Sequence, residues 1–378
     1  MKENGRADGR IEEKIDEIMA DEPPGDGLED DGLSAVIRRA RQMILLRNIA
    51  VAAAVSLLLI TAVIFGLTVL NNRVSGHVTM DAYRFQEITS PNVEISCAQK
   101  RFLGLLGGEV QFNTYKLIEG VPVRWTTEVY RYDILGNYQK YIGDGYSPIS
   151  VVEASGKGAR IYSSETAQRE MLFYHPGLDY GYYFDDLTKL AGMDKKEVGE
   201  VALSFDRPYS LPVVKEMLPP GVHLAWCWVD ATPLGSGELT IKPEERSPYI
   251  ASGELTARPD GMSPDSSAQL YGFAIHPSGF VRDMMSAWRT GYRPNDTGPV
   301  EMTEQDFLKA VESGIAHPGK HNQEYKKIYD YLRQGKDKPA TQDVRILGAI
   351  VTGTIGDLQK LQGQRYVRAA VLGVTAER

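Results

Sequence analysis

Few residues of this 378-residue chain stand in arrangements that chemistry would need. His175, His276 and His317 each precede proline and a small residue. That setting fits three surface turns better than a metal cluster. Asp185, Asp186 and Asp206 offer carboxylates, but helix caps and strand-end charges explain them equally well. Trp226 and Trp228, with Leu224, alternate along one expected strand and read as paired core aromatics. Cys97 and Cys227 are the only cysteines. They provide no Cys/His zinc spacing, and they form either one disulfide in an oxidising compartment or two free thiols. HExxH, GxSxG, P-loop, GxGxxG and EF-hand patterns are all missing, and Asn295-Asp296-Thr297 is a bare glycosylation sequon. These residues point to a protein that binds rather than catalyses, and no metal or cofactor is expected.

Binding chemistry is better represented near the beginning. Residues 1–47 hold twelve Asp or Glu against eight Lys or Arg. Ile11, Ile15, Ile18 and Met19 fall at helical spacing and form one apolar stripe on an acidic segment. Pro23-Pro24-Gly25-Asp26-Gly27 then breaks the chain. After it, Leu33, Val36, Ile37, Ala40 and Ile44 make a second stripe, with Asp31 or Ser34 able to cap its start. Helices this short have no core to cover and are marginal alone in water. Two readings follow: a docking segment for a partner with an apolar groove and a basic surface, or a disordered acidic tail with a helix lying on lipid headgroups.

The element that must position this segment comes next. Ile49 to Leu70 contains no charge, and its 22 residues span roughly 33 Å as a helix, about the thickness of a bilayer's hydrocarbon core. Arg38, Arg39, Arg41 and Arg47 precede it and only Arg73 follows closely, so the positive-inside rule puts the N-terminus in the cytoplasm. The run is too long, and its leader too acidic, for a cleaved signal peptide. The expected layout is a cytoplasmic segment (1–47), a transmembrane helix (48–71), an external strand-rich region (72–193) and an external α+β domain (194–378).

In the strand-rich region, the pattern from Tyr83 to about Tyr146 favours β-structure, and Glu119-Gly120 and Leu135-Gly136-Asn137 mark turns of an antiparallel meander. In the last domain, strand, helix and strand follow one another over 200–229 and again over 344–376. This predicts a β-α-β…β-α-β, ferredoxin-like sandwich with helices on one face. Helices near 303–315 and 322–334, together with a Gly/Pro/Ser-rich insertion at 233–300, separate the two units. The formal net charge of −8 argues against nucleic acid as a direct partner.

Several stretches resemble a known family. Residues 37–60 (IRRARQMILLRNIAVAAAVSLLLI) look like a basic helix running into a span, and 102–125 (FLGLLGGEVQFNTYKLIEGVPVRW) like the part that follows. Residues 201–232 (VALSFDRPYSLPVVKEMLPPGVHLAWCWVDAT) and 344–377 (VRILGAIVTGTIGDLQKLQGQRYVRAAVLGVTAE) are similar to the opening and closing of a C-terminal domain. Together they resemble the membrane-anchored anti-sigma factors of Gram-positive bacteria that carry paired N-terminal and C-terminal sigma-factor-regulator domains. That resemblance implies a non-enzymatic protein with two partners, an extracytoplasmic-function sigma factor and the lipid bilayer. The cytoplasmic segment would sequester the sigma factor and the external domain would sense the envelope. A surface-anchored protein whose external domain binds or processes envelope material is the alternative.

Overall fold

The computed structural model describes residues 30–142, 149–153, 158–233, 249–250, 270–277 and 301–378. They fall into two compact units, Met1–Gly66 and Leu67–Arg378. Helix α1 (Asp30–Thr89) is uninterrupted by proline and carries the apolar run. It does not stop at the end of that run. Val74, Val78, Ala82, Phe85 and Ile88 recur every three or four residues and turn one face of its last turns inward. The strand pattern expected from Tyr83 therefore begins with helix. Aromatic and β-branched residues there favoured strand on propensity, and tertiary packing overrode it. The helix ends before Pro91, which disfavours α-conformation in the residue before it, and Asn92 turns the chain at φ 53°.

A four-stranded antiparallel meander follows: β1 (Glu94–Phe102), β2 (Gly107–Ile118), β3 (Val121–Asp133) and β4 (Tyr138–Ile142). Glu119 and Gly120, at φ 49° and 85°, make the two-residue turn between β2 and β3. Val78, Ala82 and Tyr83 of α1 pack with Val110, Phe112, Tyr130, Tyr132 and Tyr138 on one sheet face. Two small strand pairs come next. β5 (Ile149–Val152) pairs with β6 (Ala159–Tyr162), and β7 (Leu172–Phe173) pairs with Tyr249–Ile250.

The C-terminal sheet is built from β8 (Val198–Tyr209), helix α2 (Leu211–Met217) and β9 (Val222–Val229). β10 (Tyr249–Ile250) is the partner of β7, and β11 (Gly272–Ala274) adds an edge beside β9. Helices α3 (Glu304–Ala316) and α4 (Asn322–Arg333) lead to β12 (Ile346–Thr354), helix α5 (Ile355–Leu358) and β13 (Val367–Ala376). The order is β11-β9-β12-β8-β13, every neighbouring pair antiparallel. Helices α2, α3, α4 and α5 pack on one face, and the aromatic segment Met171–Phe184 covers the other. The molecule is thus mixed helix and strand, a long apolar helix followed by strand-rich sheets.

One detail departs from simple alternation. Trp226 and Trp228 lie under the aromatic segment, whereas Leu224 packs against the helical face. A register shift between Ile350 and Val351, opposite Trp226 and Leu224, inserts a bulge in β9 and swaps the faces.

The meander and the C-terminal sheet share Ile118, Trp125, Val198 and Val374 as common core. Beside it lies a buried ion pair, Lys116 Nζ to Glu200 Oε1 at 2.7 Å. Glu200 also accepts from Asn92 Nδ2 at 2.7 Å and from the Val374 amide at 3.2 Å, and Lys116 lies 4.0 Å over the Trp125 ring.

Candidate functional site

The stripe on the first part of α1 has no cover among the described residues. Leu33, Val36 and Ile37 are 61, 63 and 44% exposed, and Ala40 is half-buried. The i, i+3, i+4, i+7 spacing sets all four on one face of one helix. On another side of the helix Arg38 donates to the Ser34 hydroxyl at 3.3 Å. The other stripe, Ile11, Ile15, Ile18 and Met19, lies outside the described residues, as does the sequon at 295–297. Among the described residues α1 is the one helix long and apolar enough to cross a membrane. Its polar Thr61 donates to the Leu57 carbonyl at 2.8 Å, which satisfies the hydroxyl without water.

From Asn71 to Thr89 the same helix lies inside the second unit and is clasped by the meander and by the turn between α3 and α4. Asn71 Nδ2 donates to the Gly104 and Gly107 carbonyls at 3.4 and 3.3 Å. Asp81, 2% exposed, accepts from the Tyr138 hydroxyl at 2.7 Å and from the Lys320 amide at 2.8 Å. A Cβ on Gly319 would collide with that carboxylate, so glycine is what allows the approach of the turn between α3 and α4. Gln86 donates to Glu128, whose buried carboxylate also takes the Tyr130 hydroxyl at 2.9 Å and Lys140 Nζ at 3.1 Å.

Phe85 stacks on His321, ring centroids 3.5 Å apart and planes nearly parallel, with Tyr325 edge-on to Phe85 at 6.0 Å. Burial, helped by the Lys320 charge and opposed by Asp81, lowers the His321 pKa to about 4, so the ring is neutral at pH 7. Burial and the Asp81 carboxylate push the Tyr138 phenol well above its ordinary value, which keeps it a hydrogen-bond donor. One helix thus contributes side chains to two cores at once: Val78, Ala82 and Tyr83 to that of the meander, Phe85 and Ile88 to that of the C-terminal sheet.

The residues singled out for chemistry are scattered. His175 is buried, its pKa lowered to about 4 by burial and then by Arg368, and its Nδ1 accepts from the Gly177 amide at 3.0 Å. His276 is exposed, and His317 meets the Ser313 carbonyl of its own helix at 2.9 Å. Asp185 caps the 3-10 turn Asp186–Gly192. Asp186 is buried against Arg160 and accepts from the Leu372 amide at 2.9 Å, and Asp206 accepts from Tyr209 at 2.7 Å. Cys97 and Cys227 are free thiols, the first half-buried and the second fully buried. Among the described residues no three His, Cys, Asp or Glu side chains converge as a metal site would require.

The clasp was missed because Asp81 meets partners 57 and 239 positions away. A signal was present in the helical spacing of Val74, Val78, Ala82, Phe85 and Ile88, which continues beyond the apolar run.

Two family models match the chain. Residues 34–123 match the family described as sigma factor regulator N-terminal, and 190–374 match sigma factor regulator C-terminal. The first match covers the exposed stripe from Val36 on, the apolar run, the clasped turns and the first half of the meander. The second covers the C-terminal sheet with its helices. No curated protein and no solved structure matches.

Proposed function

Since this chain belongs to the sigma factor regulators and carries both domains of that family, we propose that it is a transmembrane anti-sigma factor of the extracytoplasmic-function type. In this reading residues 1–47 lie in the cytoplasm and hold the sigma factor. Ile49 to Leu70 cross the lipid bilayer, and residues 72–378 form the external sensing region. The single observation that carries the reading is the joint match of both family domains. The exposed face of Leu33, Val36, Ile37 and Ala40 supports it, because all of that face but Leu33 lies within the first match and it has no packing partner among the described residues.

Charge supports the orientation, with four arginines before the run and Arg73 after it. It also supports the choice of partner. A sigma factor presents basic surfaces for promoter DNA and apolar ones for polymerase, and an acidic segment with apolar stripes complements both. Ile11, Ile15, Ile18 and Met19 would extend the docking face. Binding alone suffices for this function, so no catalytic residue, metal or cofactor is assigned.

The clasp suggests how an external change could reach the cytoplasm. A displacement of the meander or of the turn between α3 and α4 acts directly on α1, the one covalent path to the docking face. The strand order supports reading 194–378 as a ferredoxin-like sandwich. β8-α2-β9 and β12-α5-β13 are two split β-α-β units whose strands interleave, and β11 is an added edge.

Two assays in the parent cell test the reading. Deleting the gene should raise transcription from one extracytoplasmic-function promoter class, and restoring it should lower it again. A phosphatase fused after Arg378 should be active, because that enzyme works only outside the cytoplasm. Unchanged transcription from every such promoter would refute the regulatory role, and an inactive fusion would refute the orientation.

A further inference from the structure

The meander presents two apolar hairpin tips to the same side. In a four-stranded antiparallel meander the first and third turns lie at one end and the second at the other. The second turn faces the C-terminal sheet: Glu119 accepts from Thr352 at 2.7 Å and meets His223 Nδ1 at 2.8 Å. At the opposite end, the β1–β2 turn exposes Phe102, Leu103, Leu105 and Leu106, from 40 to 63% accessible. The β3–β4 turn exposes Leu135 at 84%. The two tips are joined, since the Ile134 amide donates to the Leu106 carbonyl at 2.9 Å. Both are held in shape from behind. Leu103 N donates to the Gly107 carbonyl at 3.1 Å, and Asp133 Oδ1 takes the Leu135 and Asn137 amides at 2.9 and 3.1 Å.

Five large apolar side chains pointing off two adjoining turns form a patch that water does not favour. Its place along α1 says what covers it. Asn71, whose amide reaches the carbonyls of Gly104 and Gly107 on either side of Leu105 and Leu106, follows Leu70, the last residue of the apolar run. The tips therefore stand level with the point where the helix leaves its apolar stretch. Arg73, Lys100 and Arg101 are exposed just behind them, at the depth where headgroup phosphates would lie.

We propose that Phe102, Leu103, Leu105, Leu106 and Leu135 insert into the interfacial layer of the outer leaflet. The meander then rests on lipid at two tips as well as on α1. This inference relies on the reading of Ile49 to Leu70 as a membrane span. It goes beyond that reading by making the bilayer surface a direct contact of the external region. A rigid external region held to lipid at tips and helix together would feel changes in headgroup packing at its base.

The test uses the full-length protein with Cys97→Ser, reconstituted in nanodiscs of phosphatidylglycerol and phosphatidylcholine. Nitroxide labels are placed singly at Leu103→Cys, Leu106→Cys and Leu135→Cys. Leu58→Cys serves as the reference within the span and Glu312→Cys as the aqueous one. The ratio of collision with oxygen to collision with a water-soluble nickel chelate is read at each site. The proposal expects the three tip ratios to exceed that of Glu312→Cys several-fold while staying below that of Leu58→Cys. Tip ratios equal to the aqueous reference would overturn it. So would low access to both reagents, which would mean a protein partner or a second copy covers the tips. An aqueous ratio at Leu58→Cys would instead overturn the span on which the inference rests.

Discussion

Asp81→Ala isolates the link between α1 and the body of the second unit. The substitution leaves the Tyr138 hydroxyl and the Lys320 amide without their buried acceptor. Each stranded donor costs about 1–3 kcal/mol, so the local loss is roughly 2–6 kcal/mol, minus whatever water recovers in the space left. Alanine is otherwise a good helix residue, and global helicity should persist. The loss should appear as easier opening of the clasped turns, roughly 30-fold or more in local exchange, because about 1.4 kcal/mol is a factor of ten. Amide hydrogen exchange of the intact protein in nanodiscs, followed over residues 78–89 and 318–325, reads this directly. Asp81→Asn keeps one acceptor oxygen and should fall between alanine and wild type. Protection over those segments that is unchanged in Asp81→Ala would refute the idea that the carboxylate holds the helix.

Lys116→Met leaves Glu200 charged and buried, and should destabilise the second unit by about 3–5 kcal/mol. Adding Glu200→Gln should return most of that loss, since a neutral acceptor for Asn92 and Val374 remains; a denaturant-based double-mutant cycle that finds the two losses additive would show that the pair does not interact. His175 and His321 titrate near 4 when folded, below the ordinary 6.5. Between those values the unfolded chain binds protons that the folded one refuses, so stability should fall as pH drops from about 6.5 towards 4 and hold steady above 7. Thermal midpoints at pH 7.5, 6 and 5, with His321→Gln flattening part of the slope, check the sign; a protein more stable at pH 5 than at pH 7.5 would contradict it.

Much of the C-terminal architecture was readable because local signals agreed. In 200–229, the strand read over Glu200–Phe205 lies inside the longer β8, and the helical segment stopped by Pro219-Pro220 and the strand after it correspond to α2 and β9. Helices α3 and α4 were equally legible from their apolar spacing. Legibility failed where neighbours in space decided the outcome. Tyr83 and Phe85 carry strand propensity, yet they belong to a helix because its inward face fills two cores. Period two groups Leu224 with Trp226 and Trp228, and a bulge that depends on β12 separates them. The apolar stripe at Leu33, Val36, Ile37 and Ala40 was legible from spacing, and it stands on a continuous helix. The clasp had no short motif at all, since Asp81, Tyr138, Gly319 and His321 come together only through tertiary packing.

The docking face is tested most directly by binding. Full-length protein in nanodiscs is titrated with the extracytoplasmic-function sigma factor whose promoters respond to its deletion, beside a Val36→Asp/Ile37→Asp variant of the same preparation. The account predicts tight, salt-sensitive binding by the wild type, and a loss of at least tenfold in the variant, about 1.4 kcal/mol or more, with hydrogen exchange of the external region unchanged. Equal affinity of wild type and variant would place the contact elsewhere. No binding by either would contradict the anti-sigma account itself.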